Sequence, residues 1–238
     1  MTKTVMLDSP GGRMPVFDAQ PQGSARGAVV VVQEAFGVND HIEDVCQRFA
    51  AEGYRAAAPH LFHRSGDPVL EYPNIEKVMP HMAALTETDL LADLDATLSY
   101  LAAAGFESPS TGVVGFCMGG TVTLRAAVRY SLGGAVTFYG GGIQKGRFGM
   151  PSLIQLAPGL ATPWIGLFGD MNRGIPVEEV EALREAAGNA PVPTEVVRYP
   201  DAEHGFHCDA RPSYNEAAAK DAWQRTLDWF AQYLTPAG

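Results

Sequence analysis

The sequence predicts an α/β architecture, a single domain over residues 1–238 whose mostly parallel sheet carries helices on both faces. Three observations point there. Ala28-Val29-Val30-Val31-Val32 is apolar at every position, as a strand covered on both faces must be. Short apolar runs of this kind alternate with segments of helical periodicity along the chain, without a linker or an internal repeat. And 46% apolar against 18% charged residues in a chain of 238 furnishes one large core and excludes a disordered chain.

Residues 4–18 alternate loosely around Gly11-Gly12, which predicts an opening antiparallel hairpin. The strand 28–32 follows. Asn39-Asp40 is a helix cap ahead of Ile42, Val45, Cys46, Phe49 and Ala50 at helical spacing. Gly53 ends that helix, and residues 54–58 read as the next strand. Residues 60–85 read as irregular, either a lid or a long connection. From Thr88 to Ala104 the leucines at 90, 91, 94, 98 and 101 mark one face of a helix closed by Gly105. Residues 112–116 form a short strand that runs straight into Cys117-Met118-Gly119-Gly120 and a helix through Val128. Strands at 135–139 and 164–168, a helix at 177–187, a strand at 195–199 and a closing helix at 217–234 complete the alternation.

Charge and cysteine usage narrow the function. Lys and Arg number 17 against 27 acidic residues, and a net charge of -10 repels phosphate backbones and anionic lipid. No membrane span and no signal-peptide h-region is legible. Three cysteines are too few for a disulfide scaffold. A cytoplasmic monomer acting on a small molecule is the expectation, with no nucleic-acid partner.

Gly115-Phe116-Cys117-Met118-Gly119-Gly120 is the sharpest local signal. It is a G-x-nucleophile-x-G elbow with cysteine in the nucleophile position. Glycines are needed on either side because side chains there would collide with the neighbouring strand and helix. The helix N-terminus beneath favours a thiolate. The plainer alternative is a small buried cysteine in a glycine-rich turn. A thiol nucleophile needs a base, and after Cys117 only His204 and His207 remain. His204, in a loop after a strand and next to Gly205, is the better placed; His207 reads as a surface residue. Glu34, at the end of a four-valine strand, either meets a partner at the sheet's C-terminal edge or is a solvated strand end.

These segments together resemble the dienelactone hydrolase family of α/β hydrolases. The resemblance rests on Gln33-Glu34-Ala35-Phe36-Gly37-Val38-Asn39, the elbow, Phe138-Tyr139-Gly140, Leu167-Phe168-Gly169-Asp170 and His204-Gly205-Phe206. It implies a single α/β-hydrolase domain in which Cys117 attacks an ester or lactone carbonyl and His204 moves the proton. It also implies that Glu34 sits beside the thiol, that Met118 and Ala35 N–H groups form an oxyanion hole, and that Phe36, Tyr139 and Arg211 meet substrate.

Two departures stand out. The family places an aspartate where this chain has Asn172, with Asp170 two residues early. An amide can orient a histidine through its carbonyl, as in Cys-His-Asn proteases, but cannot compensate an imidazolium. The family also clamps a substrate carboxylate with arginines. Here Arg211 is displaced, and residues 70–85 hold only Lys77 and His81. No cofactor is expected. No metal site is expected either: His60-x-x-His63 and His204-x-x-His207-Cys208 lack the spaced cysteine pairs of zinc sites and read as surface or lid histidines. Cys46 and Cys208 read as packing and incidental thiols. A thiol hydrolase is the leading function. Its competitors are a non-catalytic ligand-binding protein, favoured by Asn172, and a redox-responsive thiol protein.

Overall fold

The computed structural model describes residues 1–72 and 74–236, so positions 73, 237 and 238 of the expected domain span lie outside the described residues. Strands β1 (Thr2–Ser9) and β2 (Gly12–Ala19) form the opening hairpin. Strands β3 (Ala28–Val32), β4 (Arg55–Pro59), β5 (Thr111–Phe116), β6 (Gly134–Phe138), β7 (Trp164–Gly169) and β8 (Thr194–Tyr199) follow. They make one eight-stranded sheet in the order β1-β2-β4-β3-β5-β6-β7-β8. β1 and β2 pair antiparallel, as do β2 and β4; every other neighbouring pair is parallel.

Helices α1 (Asp40–Ala51), α2 (Ile75–Ala83), α3 (Glu87–Ala102), α4 (Met118–Arg129), α5 (Leu153–Leu156), α6 (Val177–Ala187) and α7 (Glu216–Tyr233) connect the strands. None of the described helices is long and apolar enough to cross a membrane. The strand period of two divides the valines of β3 between two cores. Val29 and Val31 pack with Ile42, Val45 and Phe49 of α1 and Trp229 and Phe230 of α7. Val30 and Val32 pack with Leu90 and Leu94 of α3, Val122 of α4 and Leu183 of α6. Helices therefore cover both faces, as the apolar run demands.

Three expectations needed correction. Within 60–85 there is a helix, α2. It carries Pro80, and of the apolar residues at helical spacing, Ile75, Val78, Met79 and Met82, only Val78 is buried. On α3, Leu91 and Leu98 are only half-buried, while Asp93 and Thr97 point inward. Asp93 is fully buried because Arg64 and His63 bind it, at 2.7 Å and 3.1 Å. His63 is accordingly a buried structural residue and not a surface or lid histidine. His60 is tied to Asp67 at 2.9 Å.

The sheet order places the site. From β3 the chain moves outward to β4 and then returns to β5 on the other side, and ligands bind at such a switch point. Val32 pairs with Gly115, so Glu34 and Cys117 follow from adjacent strands. Cys117 occupies the elbow at φ 55 and ψ -116, a conformation that costs a non-glycine residue about 1–3 kcal/mol. Glycines permit it. A Cβ on Gly115 would overlap the Gly119 carbonyl, and one on Gly119 would overlap the Val32 carbonyl and stand 2.5 Å from the Gln33 oxygen.

Gly119→Ala separates two opposing effects. Helix preference alone would stabilise by about 1 kcal/mol. Collision with the β3 backbone should cost about 1–3 kcal/mol or more. The denaturation midpoint should fall; a raised midpoint would show that β3 and α4 separate at little cost.

Candidate active site

The C-terminal ends of β3, β5, β6, β7 and β8 deliver Glu34, Cys117, Tyr139, Asn172 and His204 to one edge of the sheet. Their burial differs, and that decides their chemistry. Glu34 is fully buried. A carboxylate there requires donors. Tyr72 donates its hydroxyl to Oε2 at 2.7 Å, Tyr139 donates to Oε1 at 3.3 Å, and Arg211 reaches Oε1 at 3.4 Å. Asn39 donates to the Tyr72 hydroxyl at 3.1 Å, extending the network to the cap of α1. Glu34 is thus not a solvated strand end.

His204 is held by Asn172, whose Nδ2 donates to Nδ1 at 2.9 Å. From the sequence, the amide carbonyl is expected to face the imidazole. Instead Oδ1 accepts the Gly174 N–H at 3.0 Å, which fixes the amide orientation. An amide N–H can only donate, so Nδ1 of His204 accepts and the ring proton resides on Nε2. A carboxylate at 172 would accept from both groups and leave the proton on Nδ1. Asp170 is no substitute, because Arg198 binds it at 2.7 Å and 2.8 Å through two nitrogens.

Burial pushes the Cys117 thiol up to about 11, and the Glu34 carboxylate adds to the rise. The Met118 backbone N–H, Arg211 and Arg147 pull the other way. Burial likewise pushes His204 down to about 4; Glu34 opposes this while Arg211 and Arg147 reinforce it. The resting pair is therefore a protonated thiol and a neutral imidazole, and not a thiolate–imidazolium ion pair. The helix N-terminus and the arginines are outweighed.

A cavity of about 790 Å³ opens over these groups. Cys117, Asn172, His204, Phe36 and Arg211 line it. Tyr139 does not: it is fully buried behind the wall, 5.0 Å from the His204 ring, and acts on Glu34. Ala35 is 4% exposed and does not line the cavity either. Three residues that sequence reasoning missed also line it: Tyr72, Arg147 and Arg173. Arg147 lies in the β6–α5 loop over Gly141, where a Cβ would stand 3.1 Å from its guanidinium carbon. Among the described residues neither Arg147 nor Arg173 pairs with a carboxylate, whereas Arg211 does. The signal for Arg147 was its place shortly after Gly140-Gly141-Gly142 at a strand's C-terminal end. His207, expected at the surface, is 2% exposed among Phe116, Phe138 and Trp223.

Residues 14–234 match the model of the dienelactone hydrolase family. A Salmonella typhimurium protein described as "Putative carboxymethylenebutenolidase" is 42% identical over 232 residues, covering 95% of this chain and 86% of the relative. An Escherichia coli K12 protein of the same description is 40% identical, covering 95% and 85%. The crystal structure of a "Putative Dienelactone Hydrolase" from Klebsiella pneumoniae superposes with a TM-score of 0.90 at 39% identity, covering 98% of this chain and 99% of that one.

His204 should titrate near pH 4 and carry its neutral proton on Nε2, which imidazole nitrogen shifts report directly. Its folded value lies below the ordinary 6.5, so the unfolded chain binds more protons between those values. The group's contribution to stability is then complete above about pH 6.5 and lost as pH falls through 4. Asn172→Asp should raise the titration and move the proton to Nδ1. A wild-type titration near 6.5 would contradict the assignment.

Proposed function

The chain belongs to the dienelactone hydrolase family, and from that premise we propose that it hydrolyses ester or lactone bonds in small anionic molecules, with Cys117 as nucleophile. One observation carries this reading: a cysteine in a strained elbow at the N-terminus of α4, opening into a cavity that also holds His204 and two arginines without carboxylate partners among the described residues. Strain of this kind is retained where the surrounding structure enforces it, and it clusters at reactive positions.

The proton balance gives the mechanism. At rest the thiol keeps its proton, and Glu34 is occupied by Arg211 and two tyrosines. A substrate anion draws on Arg147 and Arg211, which weakens the hold of Arg211 on Glu34. Glu34 then accepts the Cys117 proton, and the thiolate attacks the carbonyl carbon. Negative charge on the carbonyl oxygen meets the Met118 N–H at the start of α4, which already points at the Cys117 sulfur. As the carbon–oxygen bond breaks, the leaving alkoxide takes the proton from Glu34 while His204 Nε2–H donates a hydrogen bond to it. Water then cleaves the thioester, and here the chain is handicapped. A histidine protonated on Nε2 offers no lone pair to that water, and Asn172 cannot compensate an imidazolium. Deacylation becomes the slow step.

Asn172 is also the observation that favours a ligand-binding protein without turnover. The redox reading is weaker, because oxidation follows thiolate character and the Cys117 thiol stands near 11.

Two measurements test the proposal. A chromogenic ester should give a burst of about one product per Cys117 followed by slow turnover, and Cys117→Ala should lose both phases while keeping the fold. Asn172→Asp should raise the slow rate about 10- to 1000-fold and leave the burst amplitude unchanged. A protein that binds the ester without releasing alcohol would establish the ligand-binding alternative. In the second measurement, Arg147→Ala should raise KM for a carboxylate-bearing ester about 10- to 100-fold, the worth of one charge-assisted hydrogen bond. KM for a neutral ester should change by less than about twofold. Equal effects on both would remove the anion from the substrate class.

A further inference from the structure

Outside the catalytic cavity the fold brings together three side chains that the proposed mechanism leaves unused. His41 stands in the first turn of α1, and Cys208 and Asp209 follow the His204 loop. One ligand atom from each, an imidazole nitrogen, a sulfur and a carboxylate oxygen, lies within 4.8 Å of the other two. His41 is 6% exposed and Cys208 fully buried, while Asp209 is open to solvent.

The independent observation is the state of His41. Among the described residues neither of its ring nitrogens has a hydrogen-bond partner, although both are shielded from solvent. A neutral imidazole carries one N–H and one lone pair, and leaving these unsatisfied costs about 1–3 kcal/mol. Its neighbours do not resolve this. The rings of Phe116 and His207 lie 6.0 Å and 5.7 Å away, and His207 is itself without a hydrogen-bond partner among the described residues. A nitrogen of this buried imidazole, unpaired among the described residues, lies within 4.8 Å of the thiol sulfur and a carboxylate oxygen.

We propose that His41, Cys208 and Asp209 bind a thiophilic divalent cation of the Zn²⁺ type. The donor set selects the class. Mg²⁺ and Ca²⁺ take oxygen ligands, whereas nitrogen with thiolate suits zinc and its analogues. Bonds of roughly 2.0–2.3 Å require the donors to close by about 1 Å, within reach of side-chain rotation. Binding replaces the thiol proton with a metal–sulfur bond and releases that proton to solvent. The thiolate and the Asp209 carboxylate then balance the ion's charge, and water fills the fourth position on the exposed Asp209 side. Pairing His204 with His207 and Cys208 in sequence concealed this grouping, because the true partner of Cys208 comes from α1. Tyr72 separates the ion from the catalytic cavity: it binds Glu34 and accepts the Cys208 thiol at 3.6 Å.

Titration of the metal-free protein with Co²⁺ tests the site without reference to turnover. One equivalent should produce thiolate-to-cobalt charge-transfer absorption and the visible bands of a tetrahedral ion. Cys117→Ser should retain this spectrum and Cys208→Ser should abolish it. Zn²⁺ calorimetry should show one site, weakened about 100-fold or more in His41→Gln and Asp209→Asn. Asp209 is exposed, so its variant tests the site even if His41→Gln fails to fold. The proposal is overturned by absence of stoichiometric binding, by a spectrum that survives Cys208→Ser, or by one lost in Cys117→Ser, which would put the ion in the catalytic cavity.

Discussion

Glu34 sits where water does not reach, and the loops around it are arranged to satisfy its carboxylate. Tyr72 comes from the β4–α2 connection, Tyr139 from the end of β6 and Arg211 from the loop after His204. Breaking a buried charge network by removing one partner costs several kcal/mol, so these three segments are held to one point. Phe36 and Arg211 reach the cavity wall through the same contacts, with the Arg211 guanidinium 5.8 Å from the Phe36 ring and 5.3 Å from Tyr72. Gly205 belongs to this arrangement, since a Cβ there would overlap the Arg211 guanidinium. Tyr72 and Arg211 of the cavity wall are held in place by one carboxylate.

Burial keeps the Cys117 thiol protonated, and the same carboxylate adds to that effect. A negative charge beside a buried thiol disfavours the thiolate, and low dielectric magnifies the effect. Arg211 and Arg147 oppose it but do not prevail, since the thiol still stands near 11. The imidazole, buried beside two guanidiniums, is held near 4. Neither group is ionised at neutral pH until something alters the balance. On our proposal that something is an anionic substrate, which competes for Arg211 and makes Glu34 available as a proton acceptor.

Much of this was legible in the sequence. The four valines of β3 read as a doubly covered strand because one residue in two faces each core. The elbow was legible because sterics allow few residue types around Cys117. His204 and Glu34 were legible from their places at strand ends. The rest depends on contacts that carry no local pattern. Tyr72 meets Glu34 across 38 residues, and Arg211 meets it across 177. α2 was missed because Pro80 stands inside its short apolar pattern of Ile75, Val78, Met79 and Met82 and reads as a helix breaker. The orientation of the Asn172 amide was misjudged because it is settled by the Gly174 N–H, a backbone group that every residue type possesses. His41 gave no sign of its position opposite Cys208, since amphipathic spacing places a residue on a face but says nothing of what packs there.

The account rests most heavily on Glu34 controlling the ionisation of Cys117, and the pH dependence of Cys117 alkylation reads this directly. In the wild-type protein the rate should keep rising with pH toward about 11, without a plateau near neutrality. Glu34→Gln keeps the size and burial of the side chain and removes its charge, so the apparent thiol value should fall by about one unit or more. A carboxylate-bearing substrate analogue should shift the wild-type profile in the same direction and leave the variant unmoved. An identical profile in both proteins would contradict the account and leave burial alone to explain the protonated thiol.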